Sequence, residues 1–108
     1  MNVNTIRCSV LEGPENVKAF WRVAMHEIVP GYARHNIEAR FFSGTNALDR
    51  DILIMLDPYD PELTQEIRED EALMRAVNRL FKLTHTVGYE GKVYQEVDED
   101  RLRRFRVL

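Results

Sequence analysis

The chain has 108 residues, of which 44% are hydrophobic and 31% charged. This composition is that of an ordinary globular protein, so we expect a single domain over residues 1–108 and exclude intrinsic disorder. Fifteen basic residues against eighteen acidic ones give a net charge of −3, which argues against a protein that wraps duplex nucleic acid. The longest apolar run, Ile52 to Leu56, is too short to span a bilayer. We therefore predict a cytoplasmic protein without membrane association.

The only cysteine is Cys8, which lies among alternating apolar residues. One cysteine cannot form an intramolecular disulfide, so we interpret it as a small buried hydrophobic residue in a reducing compartment. A zinc site built from thiolates is thereby excluded.

The first two elements are predicted to be a strand and a helix. Residues 4–11 alternate between apolar and polar, which is typical of a half-buried strand, and Gly13 ends it. Pro14 suits the first position of a helix. The apolar residues that share one face of this helix are Val17, Phe20, Trp21, Ala24 and Ile28.

The end of this helix and the next strand follow from the same kind of pattern. Pro30 and Gly31 are predicted to stop the helix. Residues 37–42 then alternate as a second strand, and residues 43–46 form a turn.

The segment 51–56 fits two interpretations, because its apolar residues also match a helical stripe. We favour a strand, since the segment is shorter than a typical helix and the turn-forming residues 57–61 close it. A helical region follows from Pro61, and a single continuous helix would place Asp70 on its apolar seam. A buried unpaired carboxylate is costly, so we predict a break at which Asp70 caps a second helix that runs to about residue 83.

Alternation over 93–97 predicts a last strand, which residues 86–89 could pair with as a hairpin. The tail, residues 98–108, is open to three interpretations: a short helix, an edge strand or a flexible charged segment.

The order strand, helix, strand, strand, helix, strand predicts an α+β protein of the ferredoxin-like split βαββαβ type. In this fold two helices cover one face of a mostly antiparallel sheet. The fold hosts many unrelated activities, so it does not by itself assign one.

No catalytic motif is evident, and we therefore predict a protein that is not an enzyme, without catalytic residues, metal site or cofactor. His26-Glu27 lacks the second histidine of a metalloprotease helix, because position 30 is proline. His35 and His85 have no carboxylate or thiol at ligand spacing. Ser43 lies outside any nucleophile elbow.

Residues 49–71 contain nine acidic residues and only two arginines. We interpret this block chiefly as a solvated face, with an acidic patch for a basic partner as the alternative. Asp57, Asp60 and Glu62 could also converge on a magnesium ion, although such turns are common without metals.

The leading functional hypothesis concerns the sheet face that the helices leave open. Arginines, aromatic residues and methionine are enriched at interfaces, so we expect this face to bind a protein partner or a second copy of the chain as a homodimer. The predicted contact residues are Arg7, Arg40, Phe42, Leu53, Met55 and Tyr94. The protein would then be a small interaction protein, such as a phage or mobile-element accessory protein that inhibits a host machine. Alternatively, the tail or the hairpin covers this face.

The second hypothesis is single-stranded nucleic-acid binding by the open face and by four arginines of the tail, Arg101, Arg103, Arg104 and Arg106. Four carboxylates immediately precede these arginines, so mutual neutralisation of the two charge blocks is the simpler account. A small enzyme or ligand sensor that uses the turn at 57–62 or a histidine is the third hypothesis.

Overall fold

The computed structural model describes residues 2–44, 50–85, 90–95, 97–104 and 106. Its strands are β1 (Asn2–Ser9), β2 (Glu38–Ser43), β3 (Asp51–Asp57) and β4 (Glu90–Gln95). Its α-helices are α1 (Pro14–Val23), α2 (Val29–Ala33), α3 (Thr64–Glu69), α4 (Glu71–Lys82) and α5 (Glu99–Arg104). A π-helical segment, Ala24–Ile28, joins α1 to α2, and a 3-10 turn, Pro61–Leu63, precedes α3.

The four strands form one sheet in the order β2-β3-β1-β4, and each neighbouring pair is antiparallel. β1 and β3 are therefore the central strands, and each βαβ unit has a strand of the other unit inserted between its own two strands. The predicted ferredoxin-like α+β fold is confirmed.

One face of the sheet is buried beneath the helices. Ile6 and Cys8 of β1 pair with Ile54 and Ile52 of β3, and all four are less than a tenth exposed. The intervening residues of both strands point to the opposite face and are more accessible. The predicted strand at 51–56 is thus confirmed, and its helical alternative is wrong. Pairing with β1 satisfies the backbone hydrogen bonds of this segment and buries every second side chain.

The prediction that Pro30 and Gly31 end the first helix is wrong. The chain stays helical from Pro14 to Ala33, and the helix widens over Ala24–Ile28. There the Val29 N–H donates to the carbonyl of Ala24, five residues earlier. In a regular α-helix the ring of Pro30 would clash with the carbonyl four residues before it, and the wider turn accommodates that ring.

The predicted break at Asp70 is confirmed. Asp70 has an extended backbone, and its carboxylate accepts a hydrogen bond from the N–H of Leu73, so it is the N-cap of α4. Asp60 plays the same part at the preceding 3-10 turn, where it accepts from the N–H of Glu62.

Gly31 of α2 packs closely against α4. A Cβ atom built on this residue would lie 2.7 Å from Cδ1 of Leu73 in α4. Because Leu73 is 1% exposed, it has little room to move away. The largest fully buried side chains of the core are Phe20, Ile28, Ile37, Ile54, Leu56, Leu73, Leu80 and Val10.

β4 lies at one edge of the sheet, and α5 follows it along the chain. Val93, Tyr94 and Val97 are all about half exposed, and α5 has no extensive contact with another described element. The radius of gyration is 15.7 Å, compared with about 13 Å for a compact chain of this length. The tail contains a short helix rather than the alternative edge strand, and the predicted hairpin with residues 86–89 lies outside the described residues. Among the helices described, none combines the length and apolarity needed to cross a membrane.

Candidate functional site

A cluster of ionisable side chains joins the end of the first helix to the α3–α4 junction. His35 follows α2, Glu66 lies in α3, and Asp70 separates α3 from α4. The side chains of His35 and Asp70 are 11% and 15% exposed, whereas that of Glu66 is 59% exposed. His35 thus lies between a largely buried carboxylate, Asp70, and an exposed one, Glu66.

Both ring nitrogens of His35 contact a carboxylate oxygen. Nε2 lies 2.8 Å from Oδ2 of Asp70, and Nδ1 lies 3.2 Å from Oε1 of Glu66. Arg34 donates from Nη2 to the Asp70 carboxylate at 3.0 Å, and the Leu73 N–H donates to it at 3.0 Å. Asp70 is therefore fixed on several sides, while Glu66 is held at this site by His35 alone among the described contacts.

The local sequence places His35 where it can reach these groups. The N–H of Asn36 donates to the carbonyl of Ala33, and that of Ile37 to the carbonyl of Tyr32. With Asn36 in the left-handed region at φ 59°, this is a Schellman motif, and asparagine tolerates that conformation. His35 lies in this turn, directly after α2, and its ring contacts Asp70, the N-cap of α4.

The electrostatics of the cluster favour a charged imidazole. The hydrogen bond to Asp70 raises the pKa of His35, and Glu66 adds to this, although partial burial opposes it. In return, the bond to His35 and the bond from the Leu73 N–H lower the pKa of Asp70 to about 2. Asp70 consequently stays ionised, and His35 is a stronger base than an isolated histidine.

The expectation that His35 has no close carboxylate is wrong. Its partners lie 31 and 35 residues away in the sequence, so no local spacing shows them. One signal for this contact was available in the sequence. The ferredoxin-like order places the two helices side by side on the sheet, and Asp70 was predicted at the start of the second helix. The C-terminal end of the first helix is then expected near the carboxylate of Asp70.

The six predicted partner-binding residues lie on one face of the sheet, opposite the helices. Phe42 pairs with Leu53 and Arg40 with Met55 across β2 and β3, while Arg7 and Tyr94 lie on β1 and β4. Phe42 and Tyr94 are 44% and 48% exposed. Arg40 lies 3.8 Å from Glu38 and 3.6 Å from Asp57. The sequence therefore grouped these residues correctly, and their role as contact residues stays a prediction.

Among the tail arginines, Arg103 contacts carboxylates of its own helix, and the geometry of the tail leaves its nucleic-acid contact a prediction. Arg103 lies 3.5 Å from Glu99 and 3.8 Å from Asp100, as expected for charge blocks that neutralise each other. Arg101 is part of the same helix, and Arg104 and Arg106 are exposed.

The remaining candidate residues are engaged elsewhere. Asp60 caps the 3-10 turn, Asp57 faces Arg40, and within the described residues no group of three or more His, Cys, Asp or Glu side chains could hold a metal ion. His26 is exposed on the π-helical segment. Burial, with a smaller effect of Asp51, raises the pKa of the Cys8 thiol to about 11, which makes it unreactive.

Several solved structures share this fold. An antibiotic biosynthesis monooxygenase superposes with a TM-score of 0.70 at 12% identity, covering 91% of this chain and 100% of its own. An uncharacterised NIPSNAP domain protein from Burkholderia xenovorans gives 0.66 at 12%, covering 92% and 97%. A mutant of SnoaB from Streptomyces nogalater, a cofactor-independent oxygenase, gives 0.64 at 14%, covering 90% and 93%. No family model matches the sequence, and no curated protein is significantly similar to it.

These likenesses correct the functional prediction made from the sequence. The expectation of a protein that is not an enzyme, acting as a phage accessory protein or inhibitor, is wrong, as is its nucleic-acid-binding alternative, because neighbours of this fold are named as oxygenases. That prediction relied on the lack of catalytic and cofactor motifs. An oxygenase that works without a cofactor needs no cofactor-binding motif, so this lack carried no information.

Proposed function

We propose that this chain is a small oxygenase that works without a cofactor, in which His35 removes a proton from the hydroxyl group of a phenolic or enolic substrate. The observation that carries the proposal is the arrangement of His35 between a fixed carboxylate, Asp70, and an exposed one, Glu66. The likeness to structures named as an antibiotic biosynthesis monooxygenase and a cofactor-independent oxygenase supports the reaction class.

The proton transfer follows from the geometry of the cluster. Glu66 is exposed and can turn away, which frees Nδ1 of His35 for a substrate hydroxyl. The imidazole then takes the proton and becomes positively charged, and Asp70 stabilises that charge through Nε2. This is the logic of a base oriented by a buried carboxylate. Asp70 is the positioning residue, and Arg34 holds it in place.

The product of this step is an oxyanion beside an imidazolium. An ionised phenol or enol is far more electron-rich than its neutral form, and such an anion can give up an electron to dioxygen without help from a metal or flavin. The contact between the imidazolium and Glu66 in the free protein is the same kind of charge-assisted hydrogen bond that a bound substrate anion would make.

The test is oxygen consumption with a panel of hydroquinones, polyphenols and cyclic enols. We expect His35→Gln to lower the rate by about 10²- to 10⁴-fold, the usual contribution of a general base. His26→Gln is the matched control, because His26 is exposed on a different helical segment, and its rate should equal that of the wild type.

The pH profile separates catalysis from a structural role. The rate should rise with pH through the raised pKa of His35, because only the neutral imidazole accepts a proton. Asp70→Asn should move this inflection to lower pH, since it removes the main cause of the raised pKa. If the panel is consumed equally fast by wild type and His35→Gln, the proposal fails.

The proposal also includes the extent of the catalytic domain and the location of the protein in the cell. Structural neighbours match this chain over nearly their full length, which supports residues 1–108 as one catalytic domain. A cytoplasmic location agrees with the single buried thiol of Cys8.

A further inference from the structure

The contact between His35 and Glu66 depends on the charge of the imidazole. Nδ1 of His35 lies 3.2 Å from Oε1 of Glu66, and a carboxylate can only accept a hydrogen bond, so this contact requires a proton on Nδ1. Nε2 lies 2.8 Å from the Asp70 carboxylate and needs a proton for the same reason. His35 is therefore positively charged when both contacts are made.

In that charged form the imidazole cannot act as a base. To accept a proton from a substrate it must be neutral, and the contact with Asp70 keeps the remaining proton on Nε2. Nδ1 then carries only a lone pair and repels the carboxylate that faces it. The side chain of Glu66 is 59% exposed, so it has room to move aside. The reactive state of the site thus leaves Glu66 without its hydrogen-bond donor.

Within the described part of the chain, His35 is the one cation found beside Glu66. The guanidinium of Arg34 is engaged with Asp70, because its Nη2 donates to both carboxylate oxygens at 3.0 and 3.3 Å. Arg68 is two positions further along α3, and residues two apart in a helix do not face each other. Glu66 therefore loses its cation when His35 becomes neutral, and the protein supplies no replacement there.

On the basis of the oxygenase function proposed above, we propose that the substrate is a phenol or enol that also carries a protonated amine, and that Glu66 binds this ammonium group once it leaves His35. Glu66 is then the residue that determines specificity, next to the base that removes the hydroxyl proton. During that step the substrate O–H bond breaks, an N–H bond forms at Nδ1, and the ammonium group keeps its protons.

Such a substrate keeps the site electrically balanced at every stage. In the free protein, charged His35 and Arg34 balance Asp70 and Glu66. With neutral His35, the substrate ammonium replaces the lost positive charge. After proton transfer, the imidazolium balances the new oxyanion. A phenol without the amine leaves one uncompensated negative charge before and after the transfer, which is costly beside side chains as little exposed as those of His35 and Asp70.

The charges of the surrounding segment act in the same direction. Residues 57–71 contain seven carboxylates and one arginine. A surface of one charge sign raises the local concentration of ions of the opposite sign. This field favours every cation alike, whereas the exchange of partners at Glu66 selects an ammonium group close to the reacting hydroxyl.

The test compares three hydroquinones that differ only in one substituent, which is aminoethyl, ethyl or carboxyethyl. Anaerobic titration calorimetry measures their binding without oxidation, and oxygen consumption above the uncatalysed rate measures their turnover. We expect the aminoethyl compound to bind about tenfold more tightly than the ethyl compound, as one hydrogen bond between charged groups provides. The carboxyethyl compound should bind most weakly. The preference should grow as pH rises through the raised pKa of His35, because Glu66 is then released.

Variants of α3 assign the preference to one carboxylate. Glu66→Gln should reduce the preference for the aminoethyl compound to about twofold or less, and Glu66→Lys should favour the carboxyethyl compound. Glu69→Gln is the matched control, because it removes the same charge from the same helix but Glu69 contacts Gln65 rather than His35. It should retain the full preference. Circular dichroism shows whether each variant is folded.

The outcomes separate this proposal from the oxygenase function on which it rests. Equal binding of the aminoethyl and ethyl compounds, or a preference that survives Glu66→Gln, overturns the ammonium site even if all three compounds are oxidised. A preference lost equally in Glu69→Gln belongs to the general field of the acidic segment and overturns the role of Glu66. Binding with the expected preference but without oxygen consumption supports the ammonium site and counts against the oxygenase function alone.

Discussion

Replacing Gly31 by alanine tests the close packing of α2 against Leu73 of α4. The new Cβ would lie 2.7 Å from Cδ1 of Leu73 and 3.6 Å from its Cγ, so the two helices or the leucine must shift. Alanine in place of glycine favours a helix by about 0.5–1 kcal/mol, whereas overpacking a core costs about 1–3 kcal/mol. We therefore expect Gly31→Ala to lower the free energy of unfolding by about 1–2 kcal/mol.

The clash with Leu73 makes this prediction specific to one pair of residues. Leu73→Ala alone should cost about 2–5 kcal/mol, but combined with Gly31→Ala it removes the atoms in the way. The double variant should then be about 1–2 kcal/mol more stable than the sum of the single changes predicts. Leu80→Ala, at an equally buried site two turns further along α4, is the control and should combine additively with Gly31→Ala.

Urea unfolding followed by circular dichroism supplies the four free energies of each cycle. If Gly31→Ala stabilises the protein, helix propensity outweighs the contact and the inferred close approach does not exist. If the couplings with Leu73→Ala and Leu80→Ala are equal, the cost of Gly31→Ala does not arise from Leu73.

Three further predictions concern the core, the ionisable cluster and the thiol. Phe20→Ala should lower the free energy of unfolding by about 3–5 kcal/mol in the same urea assay, because Phe20 is fully buried and contacts the rings of Trp21 and Phe41; a cost below about 1 kcal/mol would contradict this packing. The raised pKa of His35 stabilises the folded state below pH 6.5, and this stabilisation is lost as pH rises through the pKa of His35 in the folded protein. The lowered pKa of Asp70 stabilises the folded state above pH 3.8, and this stabilisation is lost as pH falls towards about 2. Thermal melts should therefore show that His35→Gln lowers stability mainly between pH 3.8 and pH 6.5, and an unchanged pH profile would refute the coupling. Cys8, buried and with a pKa raised to about 11, should react with iodoacetamide at pH 8 only after urea unfolds the chain, and rapid labelling of the native protein would show the burial to be wrong.

Local patterns were sufficient for much of the fold. The shortness of the apolar segment 51–56 and the turn-forming residues after it predicted β3, and the cost of a carboxylate on an apolar seam predicted the cap at Asp70; both agree with the structure. These features depend on neighbouring residues and on a simple choice between buried and exposed. The order of elements then sufficed for the ferredoxin-like sheet.

Two features depended on contacts that no local pattern shows. The helix that passes through Pro30 requires the wider turn before it, and nothing in the residues 24–28 distinguishes such a turn from an ordinary helix. His35 acquires its carboxylates from segments more than thirty residues away. The candidate site is therefore a product of tertiary structure, although the residue at its centre was visible in the sequence.

The wider turn at Ala24–Ile28 also has a consequence for the winding of the whole helical segment. Phe20, Ala24, Ile28 and Tyr32 are buried at a constant spacing of four residues. At about 100° per residue, three such steps would rotate Tyr32 by about 120° from the direction of Phe20. Hydrogen bonds to the carbonyl five residues earlier reduce the rotation per residue, so all four side chains stay on the buried side of the helix. Residues 24–28 thus determine which side of the helix is buried after Pro30. A one-residue deletion there would turn Gly31 and Tyr32 away from the core.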